Sequence, residues 1–483
     1  MLFSSTIFLF LFLPVVLGLS WAAPRRLVNG ILLVASLLFY AWGEVFFVGV
    51  MIASILANYA FGLWIGRYRE PRRAKLILAG AVAVNIGLLF VYKYANFFVG
   101  NLNRALAALD LAPLAWEPIH LPIGISFFTF QALSYVVDVY RHEANVQRRI
   151  LDLALFISLF PQLIAGPIVR YQHIEGQLAG RTVTLDKLAY GIRRFVLGLA
   201  KKVLIANAVA VPVDEIYALP AGQLTPALAW LAALGYVIQI YFDFSGYSDM
   251  AIGLGSLLGF HFPENFLFPY TARSVREFWN RWHVSLSTWF RDYVYIPMGG
   301  NRRPPGRMYF NLVSVFLLCG AWHGASWTFI FWGAYQGAFL VLERQPWLAG
   351  LSRAWRPIRH VYTLLVWLVG MVIFRADSIG EALVFLRRMI GRGDWSASWH
   401  TLDMHLTRDL WLIIPVAALC SVPLHRPLWA WYERRVAALG GARRVLVEGA
   451  SALFGAAGLV LLLVLSASFL AAGTHNPFIY FQF

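Results

Sequence analysis

Long apolar runs, parted by short connections rich in arginine and lysine, leave this chain few folds to adopt. The runs cover residues 2–22, 28–43, 45–66, 76–98, 121–140, 150–168, 189–211, 227–258, 310–342, 361–374, 409–423 and 445–472. A helix needs about 20 apolar residues to cross the hydrocarbon of a bilayer, where every backbone amide must find its partner inside its own segment. The expected fold is therefore all-α, a polytopic transmembrane helical bundle of about 11–13 membrane segments. No internal repeat or dividing linker is visible, so residues 1–483 are read as a single transmembrane domain. The balance of 60% hydrophobic to 13% charged residues excludes an ordinary soluble domain. The first run lacks a positively charged lead-in and the next run follows at once, which reads as an uncleaved first helix.

The formal net charge is +16, from 40 Lys and Arg against 24 Asp and Glu. In a soluble protein that excess would point to nucleic acid, but here it sits in short loops between apolar runs. With the N-terminus outside, the basic connections at 24–26, 67–75 and 141–149 all fall on the cytoplasmic side, as the positive-inside rule requires. The expected electrostatic partner is membrane lipid, and no nucleic acid. Two cysteines, Cys319 and Cys420, can build neither a disulfide framework nor a thiolate cluster, and Cys319 reads as a small core residue. The histidines follow no metal-ligand spacing, so no metal site is expected.

One stretch departs from the apolar background. It runs F278-W-N-R-W-H-V-S-L-S-T-W-F-R-D-Y-V-Y-I-P-M-G-G-N-R-R303, followed shortly by C319-G-A-W-H-G-A-S-W-T-F-I-F-W-G333, and it holds His283 and His323 among tryptophans. The apolar run 310–342 is too long for one crossing and is expected to break between Gly320 and Ser326, around His323. Around His283 the spacing predicts one continuous amphipathic helix, opened by a capping box of Ser274 and Glu277. It would set Trp279, Trp282, Leu286, Trp289 and Tyr293 on one face and Asn280, His283, Ser287 and Arg291 on another. Two further polar islands stand out. Residues 160–170 carry Pro161, Gly166 and Pro167 and are expected either to break or to kink their segment. Asp243 and Asp249, six residues apart and so on different helix faces, serve a proton or ion path or pair with nearby basic residues.

Two imidazoles in a tryptophan-walled cavity suit acyl transfer, because a neutral histidine readily takes a proton from a hydroxyl. In this reading His323 and His283 are the catalytic candidates. His323 deprotonates an acceptor hydroxyl, while His283, Asn280 or Ser287 stabilises charge on a thioester carbonyl. Trp282 and Trp322 wall the cavity, and Asp243 is kept as a polar contact on the substrate path. Arg302 in the loop 299–303, with Arg281 and Arg291, holds the phosphates of an acyl-CoA on the cytoplasmic side. The alternatives are that both histidines are hydrogen-bonded core residues, or that the chain is a transporter whose path runs through Asp243 and Asp249.

The motifs F278-W-N-R-W-H283, W322-H-G324, E264-N-F-L-F-P-Y270, L121-P-I-G-I-S126, K201-K-V-L-I-A206, Y241-F-D-F-S-G-Y-S-D-M-A-I-G253, F374-R-A376 and F481-Q-F483 recur in one order. Together they make the chain resemble the membrane-bound O-acyltransferases, and within them the bacterial alginate-acetylating branch. The resemblance implies a helical bundle around a central funnel that acyl-CoA enters from the cytoplasm and an acceptor from the other side. His323 then matches the near-invariant catalytic histidine, and His283 falls where several eukaryotic relatives place an asparagine. It also implies acetyl-CoA as donor substrate with no other cofactor, a bacterial inner-membrane location, and periplasmic partner proteins that complete the transfer to an exopolysaccharide. Cellulose, peptidoglycan, or D-alanylation of teichoic acid stand as alternative acceptor systems.

Overall fold

The computed structural model describes residues 1–68, 70–396, 398–473 and 475–477. The motif F481-Q-F483 and most of the aromatic tail lie outside the described residues. Among the described residues every regular element is helical. Seven helices are long and apolar enough to cross a membrane: Arg25–Glu44, Val48–Arg67, Pro71–Ala107, Leu185–Tyr217, Pro226–Leu257, Arg356–Arg375 and Gly441–Ala471. Helices Arg408–Cys420 and His425–Ala437 meet at 70° and make an eighth if they are one broken span, and Phe8–Ala22, Ile125–Tyr140 and Trp327–Leu342 are shorter apolar helices. Polytopic character is thus observed as expected, with several segments too short or too bent to count as full crossings.

Helix Pro226–Leu257 is the axis of the bundle, with 67% of its apolar window buried, whereas Gly441–Ala471 has only 6% buried and presents its side chains outward. Glycines set the closest approach at that axis. A Cβ on Gly198 would stand 2.6 Å from the Gly246 carbonyl, and one on Gly191 2.8 Å from the Gly253 carbonyl. Helices Leu185–Tyr217 and Pro226–Leu257 therefore touch backbone to backbone, as small residues permit within a membrane. That proximity lets the acidic side chains of the second helix meet the basic ones of the first. Asp249 pairs with Arg194 at 2.7 Å and Lys201 at 2.6 Å, and Asp243 pairs with Lys202 at 2.5 Å with both side chains 2% exposed. Both aspartates are therefore ion-paired, which is the structural alternative of the sequence reading.

The region around the histidines is built from broken helices. The run 310–342 divides as expected, into Pro305–His323 and Trp327–Leu342. Ser326 caps the second helix by accepting from the Phe329 amide. A Cβ on Gly320 would collide with the Phe329 carbonyl, and one on Gly333 with that of Phe316, so the two helices fold back on each other through a pair of glycines. The island at 160–170 breaks its segment rather than merely kinking it. Helix Ile150–Ser158 ends, a short turn Phe160–Leu163 follows, and the irregular backbone to Arg170 is buried throughout. Unpaired backbone at that depth must lie inside protein, and this one does.

Candidate active site

The helix expected to run unbroken through His283 is interrupted there. Its start is as predicted, since Ser274 accepts from the Glu277 amide at 3.0 Å and Glu277 accepts from the Arg273 amide at 2.9 Å. It then ends at Trp279, and a second helix spans Val284–Phe290. His283 sits in the break with φ +44°, in the left-handed region. The cause is tertiary. The loop before the helix donates from the Leu267 amide to the Arg281 carbonyl at 2.9 Å, and its Asn265 carbonyl accepts from the Val284 amide at 3.0 Å. Those bonds take backbone groups that a continuous helix would have used itself.

The same loop orients the His283 ring. Asn265 Oδ1 lies 3.1 Å from His283 Nδ1, and it also accepts from the Ser285 amide at 3.2 Å and the Ser285 hydroxyl at 2.9 Å. A backbone N–H can only donate, so this Asn265 atom is the oxygen, and His283 carries its proton on Nδ1. Asn265 Nδ2 donates onward to the Ser248 hydroxyl at 3.0 Å, and Ser285 Oγ accepts from the Ile168 amide at 3.0 Å. The buried break at 160–170 thus braces His283 through Ser285. His283 Nε2 is buried and has no hydrogen-bond partner among the described residues.

His323 ends its helix, and Lys93 grips that end through its backbone carbonyls. The Lys93 ammonium donates to the carbonyls of Trp322 and His323, the latter at 3.3 Å, and Tyr94 donates to the Ala321 carbonyl at 2.6 Å. These are carbonyls the finished helix leaves open, at the negative end of its dipole. The His323 ring stands edge-on to Trp332 and Phe374, each centroid 5.2 Å away. Its Nδ1 is buried without a hydrogen-bond partner among the described residues. Trp322 lies between the two histidines, its ring centroid 4.9 Å from His323 and 6.0 Å from His283.

His323 borders two cavities. One, of about 220 Å³, is lined by Lys93, Ser126, Phe127, Ile164, Trp322 and the segment from His120 to Ile125. The other, of about 10 Å³, is enclosed by Trp282, Trp332, Trp367, Ile240, Met371 and Phe374. His323 thus combines a nitrogen without a hydrogen-bond partner among the described residues with a place on the walls of both cavities, the smaller of which has room for about one water.

The sequence model of the membrane-bound O-acyltransferase family, MBOAT, matches residues 126–376, more than half of the chain. The chain belongs to the membrane-bound O-acyltransferase family. Both histidines, Asn265 and most of the cavity wall lie within the matched residues. Similarity extends beyond them: the probable alginate O-acetylase AlgI of Azotobacter vinelandii is 42% identical over 505 aligned residues, covering all of both chains. The peptidoglycan O-acetyltransferase of Helicobacter pylori is 37% identical over 81% of this chain and 80% of its own. The teichoic acid D-alanyltransferase of Bacillus subtilis is 30% identical over 56% of this chain and 69% of its own. As a membrane-bound O-acyltransferase, this multi-pass protein is an acyl-transferring enzyme.

Of the other site residues expected in this acyltransferase, the structure brings Trp282 and Trp322 to the cavity walls beside His323. His283 stands against the Trp322 ring and lines neither cavity. Asn280 is exposed, and Ser287 donates to the Trp282 carbonyl at 3.4 Å. Arg281 is held by Glu277 at 2.7 Å and Thr271 at 2.8 Å. Arg291 pairs with Asp292 at 2.6 Å, and Arg302 is exposed on the turn that follows. Burial works to raise the Asp292 carboxyl, but Arg291 and Arg170 overcome it and hold that group below the usual carboxylate range. Asp243 is taken by Lys202 and lines neither cavity. Sequence reasoning missed Asn265, Ser285, Lys93 and Trp332. Two left a signal, Lys93 as a single cation inside the apolar run 76–98 and Asn265 within the motif 264–270.

Proposed function

We propose that this enzyme is an inner-membrane O-acetyltransferase subunit that draws acetyl groups from cytoplasmic acetyl-CoA for O-acetylation of an exopolysaccharide, with alginate the first candidate. Periplasmic partner proteins complete the transfer to the polymer. Support for the polymer comes from full-length likeness to a probable alginate O-acetylase, and support for the chemistry from His323 lying on the walls of two cavities. His323 takes the proton of an acceptor hydroxyl as its oxygen bonds to the thioester carbonyl carbon. The tetrahedral intermediate then expels the CoA thiolate, which takes up the proton held by the imidazole. The indole N–H of Trp332, a residue on the wall of the small cavity, is buried without a partner among the described residues and is a donor for the oxyanion. His283, fixed with its proton on Nδ1, positions the Trp322 wall between the two rings.

The test is acetyl content. Cells carrying His323→Ala in place of the native chain are expected to lose acetylation of the polymer while the protein stays folded in the membrane. Near-normal acetylation in that variant removes His323 from the reaction. Acetyl loss confined to peptidoglycan, the acceptor in the name of one relative, would replace the polymer and keep the chemistry. Solute uptake with no CoA release would favour a transporter.

A further inference from the structure

Away from the acyl-transfer site, one group of side chains joins two histidines to a carboxylate. Helix Leu185–Tyr217 has 33 residues, about 50 Å of rise, and so runs past a hydrocarbon layer of about 30 Å. Arg181, just before it, bonds Asn29 at 2.7 Å, and Asn29 bonds Asp152 at 2.8 Å, which sets that end beside the basic connections at 24–26 and 141–149. The other end, with Glu215, therefore stands on the opposite side of the membrane. There the segment 390–407 is pinned down: Ser398 donates to the Gln223 carbonyl at 2.7 Å, and Arg388 to the Ala221 carbonyl at 2.9 Å.

His405, in this segment, is only 6% exposed. Its Nδ1 lies 3.1 Å from Glu215 Oε2, and because a carboxylate only accepts, that nitrogen carries a proton. In the neutral ring Nε2 is then a lone pair, and it meets His400 Nδ1 at 3.3 Å. The His400 ring is itself held against Trp399, with centroids 3.9 Å apart and 27° between the planes. One proton, on His400 Nδ1, separates the two facing nitrogens. Moving it to Nε2 of the same ring leaves two lone pairs aimed at each other.

Two nitrogens each about 2.0–2.1 Å from a tetrahedral zinc stand ~3.3–3.4 Å apart. The observed spacing matches that bite, so a cation can take the place of the proton with little movement of either ring. Glu215 on the far nitrogen of His405 is the outer carboxylate that metal-bound histidines commonly carry, which fixes the tautomer and makes the ligating nitrogen more basic. Spacing along the chain gave no such sign, because the carboxylate comes from 190 residues earlier.

We propose that His400 Nδ1 and His405 Nε2 are ligands of one Zn²⁺ ion, with Glu215 as the outer partner. Among the described residues no larger group of histidine, cysteine and carboxylate side chains is placed to hold a metal, so water takes the remaining positions and the ion exchanges readily. The site is separate from His323 and depends on neither the acyl donor nor the acceptor.

The test is a zinc titration. Full-length protein in lipid nanodiscs, stripped with EDTA and then freed of it, is titrated calorimetrically with Zn²⁺. Wild type is expected to take up one equivalent in the micromolar range that His400→Ala, a change at a half-buried position, does not. His405→Ala should lose the same equivalent. Glu215→Gln keeps both ligands and should weaken binding by about 10- to 100-fold. Zinc should also raise the unfolding temperature of wild type and leave that of His400→Ala unchanged. Equal uptake by wild type and His400→Ala, uptake undiminished in His405→Ala, or an affinity untouched by Glu215→Gln overturns the proposal. Because His405 is buried, its variant is checked by gel filtration; if it aggregates, the comparison with His400→Ala decides.

Discussion

At His283 three unrelated contacts converge on one ring: Asn265 fixes its proton, Ser285 ties that asparagine to the buried break at 160–170, and Trp322 carries its influence to His323. This arrangement separates a positioning role from a proton-transferring one. His283→Ala removes the bond to Asn265, whose oxygen still accepts from the Ser285 amide and hydroxyl, so the effect is that of one net hydrogen bond, about 0.5–1.5 kcal/mol, which corresponds to roughly a 2- to 10-fold loss of activity. His283→Asn can restore a donor and is expected to lose less; equal and complete loss in both, read as initial rates of CoA release, would argue for proton transfer at His283. Trp332 offers a second probe, because phenylalanine keeps an aromatic ring beside His323 while deleting the five-membered ring of the indole and its N–H. Trp332→Phe should lower kcat by about 100-fold with KM nearly unchanged if that donor serves the oxyanion. A change confined to KM would remove it from that role.

The elements that present these side chains are short and interrupted, and their joints are made by residues too small to be replaced. Gly320 lies three residues before His323, and there the backbone of Pro305–His323 meets that of Trp327–Leu342. Gly320→Ala forces a methyl group against the Phe329 carbonyl, which backbone cannot yield cheaply. Overpacking of this kind costs about 1–3 kcal/mol, and a shift of about 1 Å in the ring can cost 100-fold in rate. Thermal unfolding in detergent should report the first and acetyl transfer the second. Unchanged values for both would mean that the two helices can part without disturbing His323. The capping box at Ser274 and the break around Gly324 were readable because each depends on bonds within one turn of helix. The left-handed break at His283 was not, because residues from Asn265 to Leu267 impose it from outside the local periodicity.

Across the whole bundle, the ends of the chain are tied to its axis. Lys202 joins Asp243 of the central helix and also donates to the Pro477 carbonyl, Asn207 donates to Asn476, and Asn476 in turn donates to the Ser4 carbonyl at 3.2 Å. Lys202→Met strips a buried carboxylate of its ammonium and should destabilise the protein by about 3–5 kcal/mol, while Lys202→Met with Asp243→Leu should recover much of that loss. A double variant no more stable than the single one, measured by unfolding in the same detergent, would contradict an ion-pair role for Asp243. The sequence by itself determined that the chain lives in a membrane as helices and that its 310–342 run must break around a histidine. Those features follow from hydropathy, helix breakers and capping, which act over a few residues. Only the tertiary structure decided that Asn265 holds the His283 ring, that Lys93 grips the end of the His323 helix from 230 residues away, and that His323 borders two cavities of unlike character. The physical reason is that a contact between distant helices depends on which of their faces meet, and periodicity within either helix does not carry that choice.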